Sequence, residues 1–112
     1  MIRIPPAQWA SVLQSITRRQ QRIPVVLRVK DAPQGIAEVV LWQTPLNTLR
    51  VAAAQDRIDV EIVAGLAESP ITYRIDAVRT ISLELTADRA AVREVRFDAV
   101  DGSVSVLRFE LP

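Results

Sequence analysis

The chain contains neither cysteine nor histidine. Without cysteine there are no disulfides, no thiolate metal sites and no cysteine nucleophile. Without histidine, the imidazole base of Ser-His-Asp and Cys-His hydrolases is missing as well. Lysine occurs once, at Lys30. A Ser-Lys nucleophile pair would have to use it, and it lies on a predicted strand with no serine in a recognisable motif beside it. The three glycines, Gly35, Gly65 and Gly102, fall in separate predicted turns, so none builds a glycine-rich phosphate loop. Aromatic residues are few: two Trp, two Phe and one Tyr. No stretch approaches the roughly 18 uncharged apolar residues of a membrane helix, and Met1–Pro6 is followed by no apolar signal segment. A cytoplasmic protein with no membrane association is expected.

What is present is a globular balance. The 112 residues are 49% apolar and 24% charged, with a formal charge of +1. That length suits one domain, 1–112, able to bury roughly two thirds of its unfolded surface. Thirteen acids offset fourteen bases, so the basic excess that phosphate neutralisation demands of a dedicated DNA-binding domain is absent.

Trp9, Val12, Leu13 and Ile16 recur at the spacing of one helical face, after prolines that a first helical turn tolerates. A helix is predicted over about 6–22. Pro24 disfavours helical geometry at Ile23, and from there the apolar period becomes two. Strands are predicted at about 24–30, 36–43, 46–53, 57–63, 71–85 with a bend near 77, 92–99 and 103–111. In 36–43 both faces are apolar, which predicts a strand covered on two sides. Asp31 to Gly35 supplies turn chemistry before it. For the last hairpin, a three-residue loop Val100–Gly102 with Gly102 left-handed pairs Phe97 with Ser105, Val95 with Leu107 and Glu94 with Arg108. This register puts Val95, Phe97, Ala99, Leu107, Phe109 and Leu111 on one face. The class is β-rich α+β: an N-terminal helix capping a strongly bent, mostly antiparallel sheet of about six strands, barrel-like in form. A flatter, open two-layer sheet plus helix is the alternative.

Candidate chemistry is sparse. Asp98-Ala-Val-Asp101-Gly102 looks superficially like a calcium loop, but with Gly102 sixth, Phe97 and Arg108 would occupy positions that require carboxylates. Asp59 and Glu61 share a strand face near Asp56, where a hard cation is conceivable, but a solvated face interleaved with Arg57 explains them. Glu38 and Glu84 have no fixed separation that would make them an acid–base pair. No catalytic, cofactor or metal residues are assigned, and no enzyme is expected. In SITRRQQRIP, Arg18, Arg19 and Arg22 close the helix, where cations complement the negative end of its dipole. With Arg28 they form the candidate patch of an alternative reading, a small barrel binding single-stranded nucleic acid. The leading reading is a non-enzymatic module for protein interaction or homo-oligomerisation. Ile36, Val40 and Trp42 are its candidate surface, Trp42 being either a core anchor or part of an exposed contact patch.

The opening RIPPAQWASVLQSI and the close DGSVSVLRFELP resemble a family of small, uncharacterised bacterial domains. Its members begin with Ile-Pro, then Trp and an amphipathic helix, and end with Asp-Gly followed by Leu-Arg-Phe. Arg3, Ile4, Pro5, Trp9 and Leu13 match the opening; Asp101, Gly102, Leu107, Arg108 and Phe109 match the close. ITYRIDAVRTISLEL is similar to the family's central strand, although Tyr73 and Val78 stand where the family carries His and Pro. The resemblance implies a fold and no catalytic residues.

Overall fold

The computed structural model describes residues 1–31 and 35–112. The chain forms β1 (Ile2–Ile4), a 3-10 turn (Pro6–Gln8), α1 (Trp9–Gln20), β2 (Pro24–Lys30), β3 (Ala37–Ala53), β4 (Ile58–Leu66), β5 (Ser69–Ile75), β6 (Val78–Leu85), β7 (Val92–Ala99) and β8 (Val104–Phe109). All strands pair antiparallel in the order β1-β6-β7-β8-β2-β3-β4-β5.

The sheet therefore has eight strands rather than about six, and it is open: β1 and β5 are its two ends and do not pair with each other. Against the seven predicted strand ranges, three differences give the count of eight. Ile2–Ile4 is an additional strand; 71–85 divides at Asp76–Ala77; and 36–43 and 46–53 are one continuous strand. The barrel-like form expected stops short of closure, yet the sheet must curl. β5 is last in the order and β6 second, but only two residues join them, so the two sides of the sheet meet at that corner.

α1 is shorter than the expected 6–22, because its first turn is 3-10 and it ends at Gln20. Arg22, beyond that end, takes a left-handed conformation (φ 73°). Trp9, Leu13 and Ile16 carry the apolar stripe into the core, and the Trp9 indole N–H donates to the Ile4 carbonyl at 2.9 Å, tying β1 to the helix. Two polar side chains complete the seat. Gln20 is buried and copies a strand neighbour: its Nε2 donates to Val92 O at 3.0 Å while its Oε1 accepts from Val92 N–H at 2.8 Å. Thr17 Oγ1 accepts from Leu49 N–H at 2.9 Å and lies 3.2 Å from Leu49 O.

The inner face of the curl and the helix share one core, in which Val25, Leu27, Leu49, Ile62, Ile81, Val95, Phe97 and Leu107 are all buried. The β7–β8 register is the expected one, with Phe97 opposite Ser105, Val95 opposite Leu107 and Glu94 opposite Arg108. Gly102 has φ 90°, a conformation costly for any residue with a Cβ, and its N–H donates to Ala99 O at 3.0 Å. At the β5–β6 corner Ala77 is left-handed (φ 50°), which accounts for the phase slip read there. Of the turn expected at Asp31–Gly35, Ala32, Pro33 and Gln34 lie outside the described residues.

Leu13→Ala is expected to lower unfolding free energy by about 2–5 kcal/mol, the range for emptying a buried leucine site. Gln20→Leu leaves both Val92 backbone groups buried without partners and should cost about 1–3 kcal/mol for each. Urea denaturation of the two variants measures both, and a Gln20→Leu midpoint equal to the parent's would contradict the strand-mimic role.

Candidate functional site

β3 divides its two edges between different neighbours. Residues 37–45 pair with β2, and residues 46–53 pair with β4 on the opposite side. The change occurs where Pro45 sits opposite Pro24, two residues without N–H groups to lose. Each half of β3 thus has one edge that no strand occupies among the described residues.

The helix and its exit cover the vacant edge of the second half. Arg22 N–H donates to Leu46 O at 2.7 Å, Leu46 N–H to Ile23 O at 3.1 Å, and Gln21 Nε2 to Asn47 O at 3.1 Å. Thr17 meets both backbone groups of Leu49. Arg22 also spends its guanidinium here, donating to Asn47 Oδ1 at 2.6 Å and Gly65 O at 3.1 Å.

Among the described residues the first half has no such cover. Leu41 reaches the core, but Ile36 is 61% exposed, Val39 50%, Val40 38% and Trp42 61%. Four of the nine large apolar side chains exposed among the described residues fall within these seven positions. The expectation of a strand covered on two sides is therefore wrong, and Trp42 is not a core anchor.

Two irregularities explain the departure from alternation. Leu27 faces Leu41 and Arg28 faces Val39, so Val40 is an extra residue. Val25 faces Thr44, so Trp42 and Gln43 together stand opposite Val26. Each bulge resets the phase of the strand. Val39 and Trp42 consequently share the outer face of the sheet with Val26 and Arg28, while Leu41 turns inward with Leu27. A regular strand would have placed Val39 with Leu41 and Val40 with Trp42.

The four arginines of the nucleic-acid reading do not come together. Arg18 and Arg19 are exposed on the last turn of α1, which packs against the inner side of the sheet. Arg22 is tied to β3 and β4, and Arg28 points from the outer face of β2. A patch formed by these residues is thus split between two sides of the molecule.

The acids of β4 also differ from a solvated face. Asp59 is 0% exposed, held by the Arg74 guanidinium, by Arg57 Nε at 3.2 Å and by the Ala77 N–H at 2.8 Å. Glu61 lies between Arg50 at 2.7 Å and Arg74 at 3.4 Å. Among the described residues no three acids gather as cation ligands. The Ala77 amide, then the Arg74 guanidinium and Arg57, hold the Asp59 carboxyl below its ordinary value of 3.8. Its structural consequence is a pin: Asp59 on β4 grips the N–H of Ala77, whose carbonyl accepts from Val100 N–H at 2.8 Å. The corner between β5 and β6 is thereby fixed to both sides of the curl.

Burial pushes the Tyr73 phenol up, and carboxylates of Asp31, Asp76, Glu38 and Asp101 add to the shift. These acids come from the ends of β2, β5, β3 and the β7–β8 turn, another sign of how tightly the sheet bends. A cleft of about 690 Å³ lies between Thr86–Ala91 and the last five residues, with Arg93 in its lining. It is on the rim, while the inside of the curl is filled by side chains. No helix is long and apolar enough to cross a membrane among the described residues.

Neither protein-family models nor curated proteins nor solved structures show a match to this chain.

Replacing Asp59 by Asn is expected to destabilise the fold most near neutral pH. The folded carboxyl lies below its unfolded value, so its contribution is complete above about pH 4 and is lost as pH falls through the folded pKa. Urea midpoints of parent and Asp59→Asn should therefore differ at about pH 7 and converge toward about pH 2. A difference that is constant with pH would contradict the ionic pin.

Proposed function

We propose that this chain is a non-enzymatic interaction module whose working surface is the uncovered half-edge of β3. The observation that supports this reading is the coincidence, at residues 37–42, of a strand edge no neighbour occupies among the described residues and a cluster of exposed apolar side chains. An unpaired edge offers a row of backbone donors and acceptors to another strand. Exposed apolar area, Trp above all, supplies the gain on association. Soluble proteins usually blunt such an edge with charge, and Ala37–Gln43 carries one charged residue, Glu38.

Of the candidate surface residues, Trp42 carries the reading furthest; Val39 shares its face through the bulges, and Val40 and Ile36 are exposed on the same segment. The nucleic-acid alternative loses support from the division of Arg18, Arg19 and Arg22 from Arg28. Membership of the small bacterial family belongs to the same proposal and rests on the quoted opening and closing segments; a place in the cytoplasm belongs to it too and rests on the lack of cysteine and of any long apolar run. So does the absence of an enzymatic activity, which rests on the missing nucleophile–base pairs.

Sedimentation velocity from about 1 to about 200 μM spans weak association. The parent should sediment as a reversible oligomer at the upper end, and Trp42→Ala as a monomer throughout. Because Trp42 is exposed, the variant's unfolding free energy should stay within about 0.5 kcal/mol of the parent's. A parent that is monomeric over the whole range, or an association indifferent to Trp42, would overturn the proposal.

A further inference from the structure

We infer that the occupant of this edge is a second copy of the chain, paired antiparallel about a two-fold axis with Ala37 of each copy opposite Trp42 of the other. This deepens the proposed function and rests on it. Two identical edges brought together by a two-fold axis run antiparallel, so one patch serves both partners. The register follows from the faces. Opposed residues in an antiparallel pair point to the same side of the sheet. Ala37, opposite Lys30, and Trp42, opposite Val26, are both on the outer face, whereas Glu38, opposite Val29, and Leu41, opposite Leu27, are both on the inner one. Pairing Ala37 with Trp42 across the axis also pairs Glu38 with Leu41, and both couples keep their faces. A shift of one residue in either direction opposes outer to inner positions.

The side chains fit that register. The small Ala37 leaves room for the large exposed indole, and the fit occurs twice by symmetry. Lys30 is the cross-strand neighbour of Ala37 on the same face, so the arriving indole lies beside an ammonium group. A cation near an indole face is attracted by the ring quadrupole. The one charged side chain of the segment, Glu38, meets Leu41 rather than its own copy, so no like charges are opposed at the axis.

The chain has no cysteine, which makes introduced thiols unambiguous reporters. Ala37→Cys protein mixed with Trp42→Cys protein should form a disulfide-linked heterodimer under mild oxidation, still retaining one intact Trp42–Ala37 couple. Neither variant alone should cross-link. Within the dimer, two Ala37 positions lie five residues apart along the strands, roughly 17 Å, far beyond the 3.5–4.5 Å Cβ separation of a disulfide. In sedimentation, Ala37→Trp should abolish association, Ala37→Ser should preserve it, and Lys30→Gln should weaken it about two- to fivefold. An unchanged unfolding midpoint of Ala37→Trp excludes a folding defect as the cause.

A parent that associates through Trp42 but gives no mixed cross-link, or an Ala37→Cys protein that links to itself, would overturn the register and leave the edge as the working surface. Strict monomers would overturn both.

Discussion

A β-strand can hold a neighbour on each edge along its whole length, and β3 does not. Its seventeen residues are shared out so that β2 occupies one edge of the first half and β4 the opposite edge of the second. Two vacant half-edges result among the described residues. The N-terminal helix fills one, with Thr17, Gln21 and the Arg22–Ile23 backbone acting as substitute strand partners. The other is left with apolar side chains and open backbone groups. Covering an edge with a helix is a common protection against unwanted pairing, and its use on only one half of β3 is what singles out the other half.

The curl of the sheet is held at one corner. Because β5 and β6 are joined by two residues yet stand six places apart in the sheet order, the ends of the sheet are drawn together, and the corner is held by Asp59 from one side and Val100 from the other. A buried carboxylate held by two guanidinium groups and an amide is costly to unmake, since removing one partner leaves charge without compensation. Core, helix and corner fix the backbone of β3 from Pro45 onward, while the segment before it is held by β2 and by Leu41 in the core.

Much of this was legible in the residues, for identifiable reasons. The β7–β8 register followed because Gly102 accommodates the left-handed position and only one loop length keeps Phe97 and Leu107 on a single face. The bend at Ala77 showed as a slip of phase between Ile75 and Ile81. β1 did not show, since three residues are too few to establish a period. Pro45 suggested a break, but a strand that is changing partners has no use for an N–H at that point, and β3 runs on through it. In 36–43 the alternation was unreadable because nearly every residue is apolar, so the extra residue at Val40 and the Trp42–Gln43 pair left no mark. Asp59 looked like a solvated acid because its partners, Arg74 and Ala77, lie on a strand and corner that only the fold brings to it. Gln20 gave no sign at all: an amide that mimics a strand is visible only once Val92 is in place.

Residue-resolved hydrogen exchange, followed by NMR at low and high protein concentration, tests the division of β3 most directly. The account predicts that amides of 37–42 directed away from β2 exchange rapidly in dilute solution and become protected as concentration rises, while Leu46 and Leu49 are protected at every concentration by the helix. Equal protection of both halves in dilute solution, or an exchange rate in 37–42 that ignores concentration, would contradict it.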